Sequence, residues 1–115
     1  MTPRIIKDAI RKDELCEMAK ECFGVFAKAV VDIRQGIMAI GGELHADGEQ
    51  ILLEAGSRQE DLWGVNIHPD KPLEQRVEFN SMINIRPSAG NRSRDVEDPA
   101  IREKIMTVIH RLVGA

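Results

Sequence analysis

The stretch Val25-Phe26-Ala27-Lys28-Ala29-Val30-Val31-Asp32-Ile33-Arg34-Gln35-Gly36-Ile37-Met38-Ala39-Ile40 decides the fold. Val25, Ala27, Ala29, Val31 and Ile33 alternate with Phe26, Lys28, Val30 and Asp32, a period of two that predicts a strand with one wholly apolar face. Arg34-Gln35-Gly36 supplies a short loop with a glycine available for positive φ, and Ile37 to Ile40 returns as a second strand. Strands joined so closely pair antiparallel.

Upstream, Leu15, Met18, Ala19 and Cys22 fall at i, i+3, i+4 and i+7, which predicts a helix over 12–23 that stops at Gly24. Asp13 and Glu14 sit in its first turn, where the helix dipole favours anions. Residues 4–10, with Ile5, Ile6 and Ile10, read as an extended arm. Downstream, Gly41-Gly42 interrupts the second strand, which resumes through Glu43-Leu44-His45. Asp47 then caps a short helix whose buried side is Ile51, Leu52 and Ala55, although Gly48 weakens it. A third strand covers 62–68, with Trp63, Val65 and Ile67 on one face, and Pro69 ends it. A fourth covers 77–86 through Val77, Phe79, Ile83 and Ile85. After a loop over 87–97, Asp98 caps a last helix with Pro99 at its first position. Ile101, Ile105, Val108, Ile109 and Leu112 give that helix a continuous apolar stripe. The order α-β-β-α-β-β-α predicts an α+β fold: a four-stranded, mainly antiparallel sheet whose helices cover one face, with residues 1–115 forming a single compact domain.

The charge balance, 16 Lys and Arg against 19 Asp and Glu, gives a net charge of −3 and argues against non-specific coating of nucleic acid, which needs many cations. Three Phe, one Trp and no Tyr argue against a stacking platform for single strands. Cys16 and Cys22 are six residues apart on one helix, about 9 Å along its axis, and so read as free thiols of a reducing compartment. With no further Cys, a thiolate zinc site is not expected, and no motif calls for another metal or a cofactor. The first residues carry no apolar stretch of signal-peptide length, and no apolar run reaches the ~20 residues of a membrane span, so the expected location is cytoplasmic, away from the membrane.

Three groups of residues could carry chemistry. Arg86-Pro87-Ser88-Ala89-Gly90-Asn91-Arg92-Ser93-Arg94 lies between a strand and a helix and contains three arginines and no acid. Guanidinium groups match phosphate and carboxylate oxygens, so Arg86, Asn91, Arg92, Ser93 and Arg94 form a candidate anion site. Asp95, Glu97 and Asp98 follow at once and offer those arginines an alternative set of partners. Glu43, His45 and Asp47 would share one side of an extended segment, a grouping suited to acid–base work. Asn66, His68, Glu78, Asn80 and Asn84 would give the later strands a polar face capable of recognition.

The segments MAIGGELHAD (38–47), QEDLWGVNIHP (59–69) and SMINIRPSAGNRSRDVEDPAIREKI (81–105) resemble a family of short bacterial and archaeal proteins known only as a domain of unknown function. The resemblance extends from the first helix to the last. It implies a single compact domain and carries over no activity, cofactor or catalytic residue.

Three functions are compatible with these residues. The first is a small binding domain that holds a phosphate-bearing small molecule or nucleic acid through the 86–94 loop. The second is an interaction module without a ligand pocket, pairing as a homodimer or with another protein. The third is a phosphodiester hydrolase in which His45 acts as acid or base, Glu43 or Asp47 orients it, and the arginines stabilise developing charge. The third requires His45 to lie near the arginine loop in space.

Overall fold

The computed structural model describes residues 2–114. Its elements are β1 (Arg4–Ile6), α1 (Lys12–Cys22), β2 (Ala27–Asp32), β3 (Ile37–Ile40), α2 (His45–Glu54), β4 (Leu62–Ile67), β5 (Val77–Glu78) and α3 (Pro99–Val113). Short 3-10 turns occur at Gln59–Asp61, Leu73–Gln75, Met82–Asn84 and Pro87–Ala89.

The architecture is α+β, with a five-stranded antiparallel sheet in the order β1-β3-β2-β4-β5. The expected four strands become five because the amino-terminal arm pairs with β3, placing Arg4 opposite Ile40 and Ile6 opposite Met38. Ile6 enters the larger core and Ile5 packs on the opposite face, the division that a strand imposes on neighbouring residues.

The alternation along β2 and β4 builds two cores. Ala27, Ala29, Val31, Trp63, Val65 and Ile67 face α1 and α3, where they meet Leu15, Met18, Ile105, Ile109 and Leu112. Val30 and Leu62 face α2 and pack with Ala39 and Leu52. The helices therefore cover both faces, and not one as the sequence suggested. Gly48 makes the second layer possible. A Cβ there would lie 3.1 Å from Val30 Cγ2 and 3.4 Å from Ala39 Cβ, so the glycine that lowers helix propensity lets α2 sit directly on the sheet.

The first turn of α2 also departs from expectation. The chain does not stay extended through His45; His45 opens the helix, and Asp47 stands inside it and not at its cap. The Asp47 carboxylate accepts the Leu44 N–H at 3.1 Å. The expected fourth strand is likewise cut to Val77–Glu78. Beyond Phe79 the Ser81 hydroxyl accepts the Ile83 N–H at 3.3 Å and starts a 3-10 turn, which places Asn84 against β4. Helix α3 begins as expected, with the Asp98 carboxylate accepting the Ala100 N–H at 2.9 Å. Among the described residues no helix is long and apolar enough to cross a membrane.

Candidate functional site

The five residues of the arginine loop separate into two groups. Arg86 turns inward: Nε donates to the Ile83 carbonyl at 3.2 Å, Nη1 to the Gln59 carbonyl at 3.0 Å and Nη2 to the Leu62 carbonyl. Its guanidinium lies 4.3 Å over the Trp63 ring. Burial lowers its basicity from the ordinary value without removing its charge at neutral pH. Asn91 is buried, with Nδ2 donating to the carbonyls of Asn84, Ser93 and Asp95 and Oδ1 accepting the Glu97 N–H at 2.8 Å.

Ser93 and the Arg92 backbone do bind a carboxylate, but it belongs to Glu97. Glu97 Oε2 accepts from Arg92 N at 2.8 Å, Ser93 N at 2.9 Å and Ser93 Oγ at 2.9 Å. The Arg92 amide, followed by the Ser93 hydroxyl, holds this carboxyl below its ordinary value. Asp95 takes Arg102 at 2.6 Å. Among the described residues the guanidinium groups of Arg92 and Arg94 have no carboxylate partner.

Arg94 leads to a cavity that single-strand periodicity could not reveal. The cavity has a volume of about 160 Å³, and Arg94 lines it together with Lys28, His45, Asn66, Asn80 and Ser81. Four separate parts of the chain meet there. Lys28 comes from β2, His45 from the start of α2, Asn66 from β4, and Asn80, Ser81 and Arg94 from the irregular segment after β5. A second space of about 280 Å³ shares Lys28, His45, Ser81 and Met82 and continues past Leu44, Ala46 and Ile83.

Gly64 sets the closeness of these walls. A Cβ at this position would fall 2.5 Å from Ser81 Oγ, 2.6 Å from Ser81 Cβ and 3.1 Å from His45 Cδ2. Its backbone is held by Asn84, whose Oδ1 accepts Gly64 N–H at 2.8 Å and whose Nδ2 donates to Gly64 O at 3.0 Å. Asn84 Nδ2 also reaches the Arg94 carbonyl at 2.9 Å, and Ser81 N donates to the same oxygen at 3.1 Å. The turn that carries Ser81 and the strand that carries Asn66 are thereby tied to the arginine.

His45 is 8% exposed, and its Nε2 lies 2.8 Å from the Val65 carbonyl, so Nε2 carries the proton and the neutral ring keeps its lone pair on Nδ1. Burial lowers its pKa; the Val65 carbonyl opposes that effect, and the charge of Lys28 adds to it. Neither Glu43 nor Asp47 hydrogen-bonds this ring, because Asp47 is engaged with Leu44 and the segment is not extended. Asn66 is 7% exposed; its Nδ2 donates to Glu78 Oε1 at 2.9 Å, while its Oδ1 is buried without a donor among the described residues. The Asn66 amide is the main reason the Glu78 carboxyl sits below its ordinary value, with His68 Nε2 approaching the same oxygen at 3.3 Å. Lys28 Nζ lies 5.1 Å over the Phe23 ring and has no carboxylate partner among the described residues.

A larger space, about 430 Å³, lies between the β2–β3 turn and α3 and is lined by Arg34, Lys104 and Arg111. Two of these cations are already engaged, Arg34 with Asp61 at 3.2 Å and Arg111 with the Gly36 carbonyl, so the smaller cavity is the better candidate despite its size. Among the described residues no three His, Cys, Asp or Glu side chains gather as metal ligands would.

The family described as "Protein of unknown function (DUF5674)" matches residues 4–112, nearly the whole chain. The chain belongs to the DUF5674 family. No curated protein and no solved structure matches it. Within this DUF5674 chain the matched span contains every wall of the cavity, from Lys28 to Arg94.

Proposed function

We propose that this protein is a small binding domain for an anionic, phosphate-bearing ligand, seated in the cavity between the start of α2 and the 80–94 segment. One observation carries this reading: Lys28 and Arg94, neither ion-paired among the described residues, line one small cavity with Asn66, Asn80 and Ser81. Two cations and several neutral polar groups around a confined space favour a phosphate or carboxylate over a neutral ligand. Within the 86–94 loop, Arg94 contributes directly and Arg86 and Asn91 shape the support. A small molecule suits a space of this volume better than nucleic acid, which would need a cationic track.

The test is titration of inorganic phosphate and pyrophosphate, followed by the backbone and Asn side-chain signals in nitrogen-15 NMR. Lys28→Ala and Arg94→Ala should each weaken binding by about tenfold or more, the loss expected for one charge-assisted hydrogen bond. Unchanged affinity in both variants would remove this reading.

A second reading, phosphodiester hydrolysis by His45, is favoured by one observation: His45 and Arg94 line the same cavity. Its orienting group would be the Val65 carbonyl and not Glu43 or Asp47. Release of p-nitrophenolate from bis(p-nitrophenyl) phosphate, abolished by His45→Ala, would support it; no turnover by the wild type would end it.

A further inference from the structure

The binding cavity has two unlike ends. At one end Arg94, Asn66 and Asn80 present charge and amide groups. At the other end Leu44, Ala46 and Ile83 present only hydrocarbon side chains. Lys28, His45, Ser81 and Met82 border both, so the polar and the apolar space are immediate neighbours that share these walls. Leu44 and Met82 are 59% and 61% exposed, a large amount for apolar side chains at the mouth of a site.

We infer that the ligand is amphiphilic: a phosphate or carboxylate head held by Lys28 and Arg94, attached to a short alkyl or aryl body that fills the space beside Leu44, Ala46 and Ile83. The inference rests on the anion-binding reading and narrows it. A sugar phosphate or a free inorganic ion would leave the hydrocarbon end wet, and a polyhydroxylated body would find few partners there. A neutral hydrocarbon would leave Lys28 and Arg94, which have no carboxylate partner among the described residues, without a counter-charge. The single chemistry that satisfies both ends carries the charge at one terminus only. The 280 Å³ of the apolar end is close to the lower limit of small-molecule sites, which fits a body of a few carbons or one ring rather than a long acyl chain.

The experiment compares inorganic phosphate with ethyl, butyl and hexyl phosphate, phenyl phosphate, and hexanol, using calorimetry and nitrogen-15 NMR on the whole chain. Affinity should rise about fourfold for each methylene buried, and the Ala46 and Ile83 signals should shift only with the longer esters. Leu44→Ser, a change at an exposed position, should reduce the gain per methylene. Equal affinity for inorganic and hexyl phosphate would overturn the amphiphile while leaving the anion site intact. Hexanol binding as tightly as hexyl phosphate would overturn both, because the charge would then contribute nothing. Failure of every compound to bind would likewise remove both.

Discussion

Asn84 serves Gly64 as a neighbouring strand would. Its side-chain amide accepts the glycine N–H at 2.8 Å and donates to the glycine carbonyl at 3.0 Å, on the β4 margin that β5 leaves uncovered after Glu78. One asparagine thus completes the ladder and fixes the turn that bears Ser81. Asn84→Ala leaves the Gly64 N–H and carbonyl without these partners, at roughly 1–3 kcal/mol for each buried group left unpaired. Urea unfolding should show the midpoint falling accordingly; a loss below about 0.5 kcal/mol, the range of ordinary surface changes, would contradict the role assigned to this amide.

Gly64→Ala tests the closeness of the cavity walls. The added carbon would overlap Ser81 Cβ as well as its hydroxyl, so a rotamer change alone cannot relieve it. Overpacking of this kind costs about 1–3 kcal/mol. The same substitution should displace Ser81 from His45 and weaken phosphate binding, which stability measurements and titration can follow together. A variant as stable as the wild type would show that the turn is free to move.

Arg86 and Arg94 should behave in opposite ways. Arg86→Lys loses the fork that reaches three carbonyls and the stacking on Trp63, so thermal stability should fall clearly, by about 1–3 kcal/mol. Arg94 is exposed and contacts Met82 Sδ at 3.1 Å, so Arg94→Ala should leave stability within about 0.5 kcal/mol and act on ligand affinity. Melting curves with and without phosphate separate the two outcomes, and a reversed pattern would reassign the site to Arg86.

Two buried groups contribute to the pH response, beside the Glu78 and Glu97 carboxyls, whose lowered pKa values act in the same direction as Asp32 in the acid range. The folded His45 pKa lies below its ordinary 6.5, so the unfolded chain takes up this proton more readily. Its contribution is complete above about pH 6.5 and is lost as pH falls through the folded value. Asp32 has the same sign at lower pH. Burial opposes its charge, but Ser57 Oγ at 2.7 Å, Gln35 Nε2 at 2.8 Å and the Arg34 and Gln35 amides at 2.9 Å hold the carboxyl below its usual range. Stability measured by denaturation from pH 8 to pH 3 should therefore decline in two stages. His45→Gln should flatten the first and Asp32→Asn should reduce the second, leaving the share of Glu78 and Glu97; a decline unchanged in either variant would show that other groups are responsible.

The parts of the fold legible in the sequence were those whose periodicity extends over several turns or strand residues. The stripe from Ile101 to Leu112 and the Asp98-Pro99 start define α3, and the alternation over 25–40 defines the central hairpin. Three-residue β1 is too short to show a period, and its pairing depends on β3 far along the chain. The 77–86 segment keeps strand-like alternation after it has left the sheet, because a side chain takes over the ladder. Spacing by two placed Glu43, His45 and Asp47 together only on the premise of an extended chain, and the start of α2 removes that premise. Of the candidate anion-binding residues, Arg94 faces the cavity. Asn66 and Asn80 were visible as part of a polar face, whereas Lys28 stood only among the residues of the first hairpin strand's second face, with Phe26, Val30 and Asp32, and nothing local linked it to Arg94.

The outermost strands are also the shortest. With three residues in β1 and two in β5, and with an asparagine amide occupying the next backbone groups of β4, each margin of the sheet offers another chain only a short run of free hydrogen-bonding groups. Amyloid-like addition and strand-to-strand dimerisation both need a longer template. These short margins guard against cross-β aggregation, and a partner protein would have to recognise side chains in place of an open ladder.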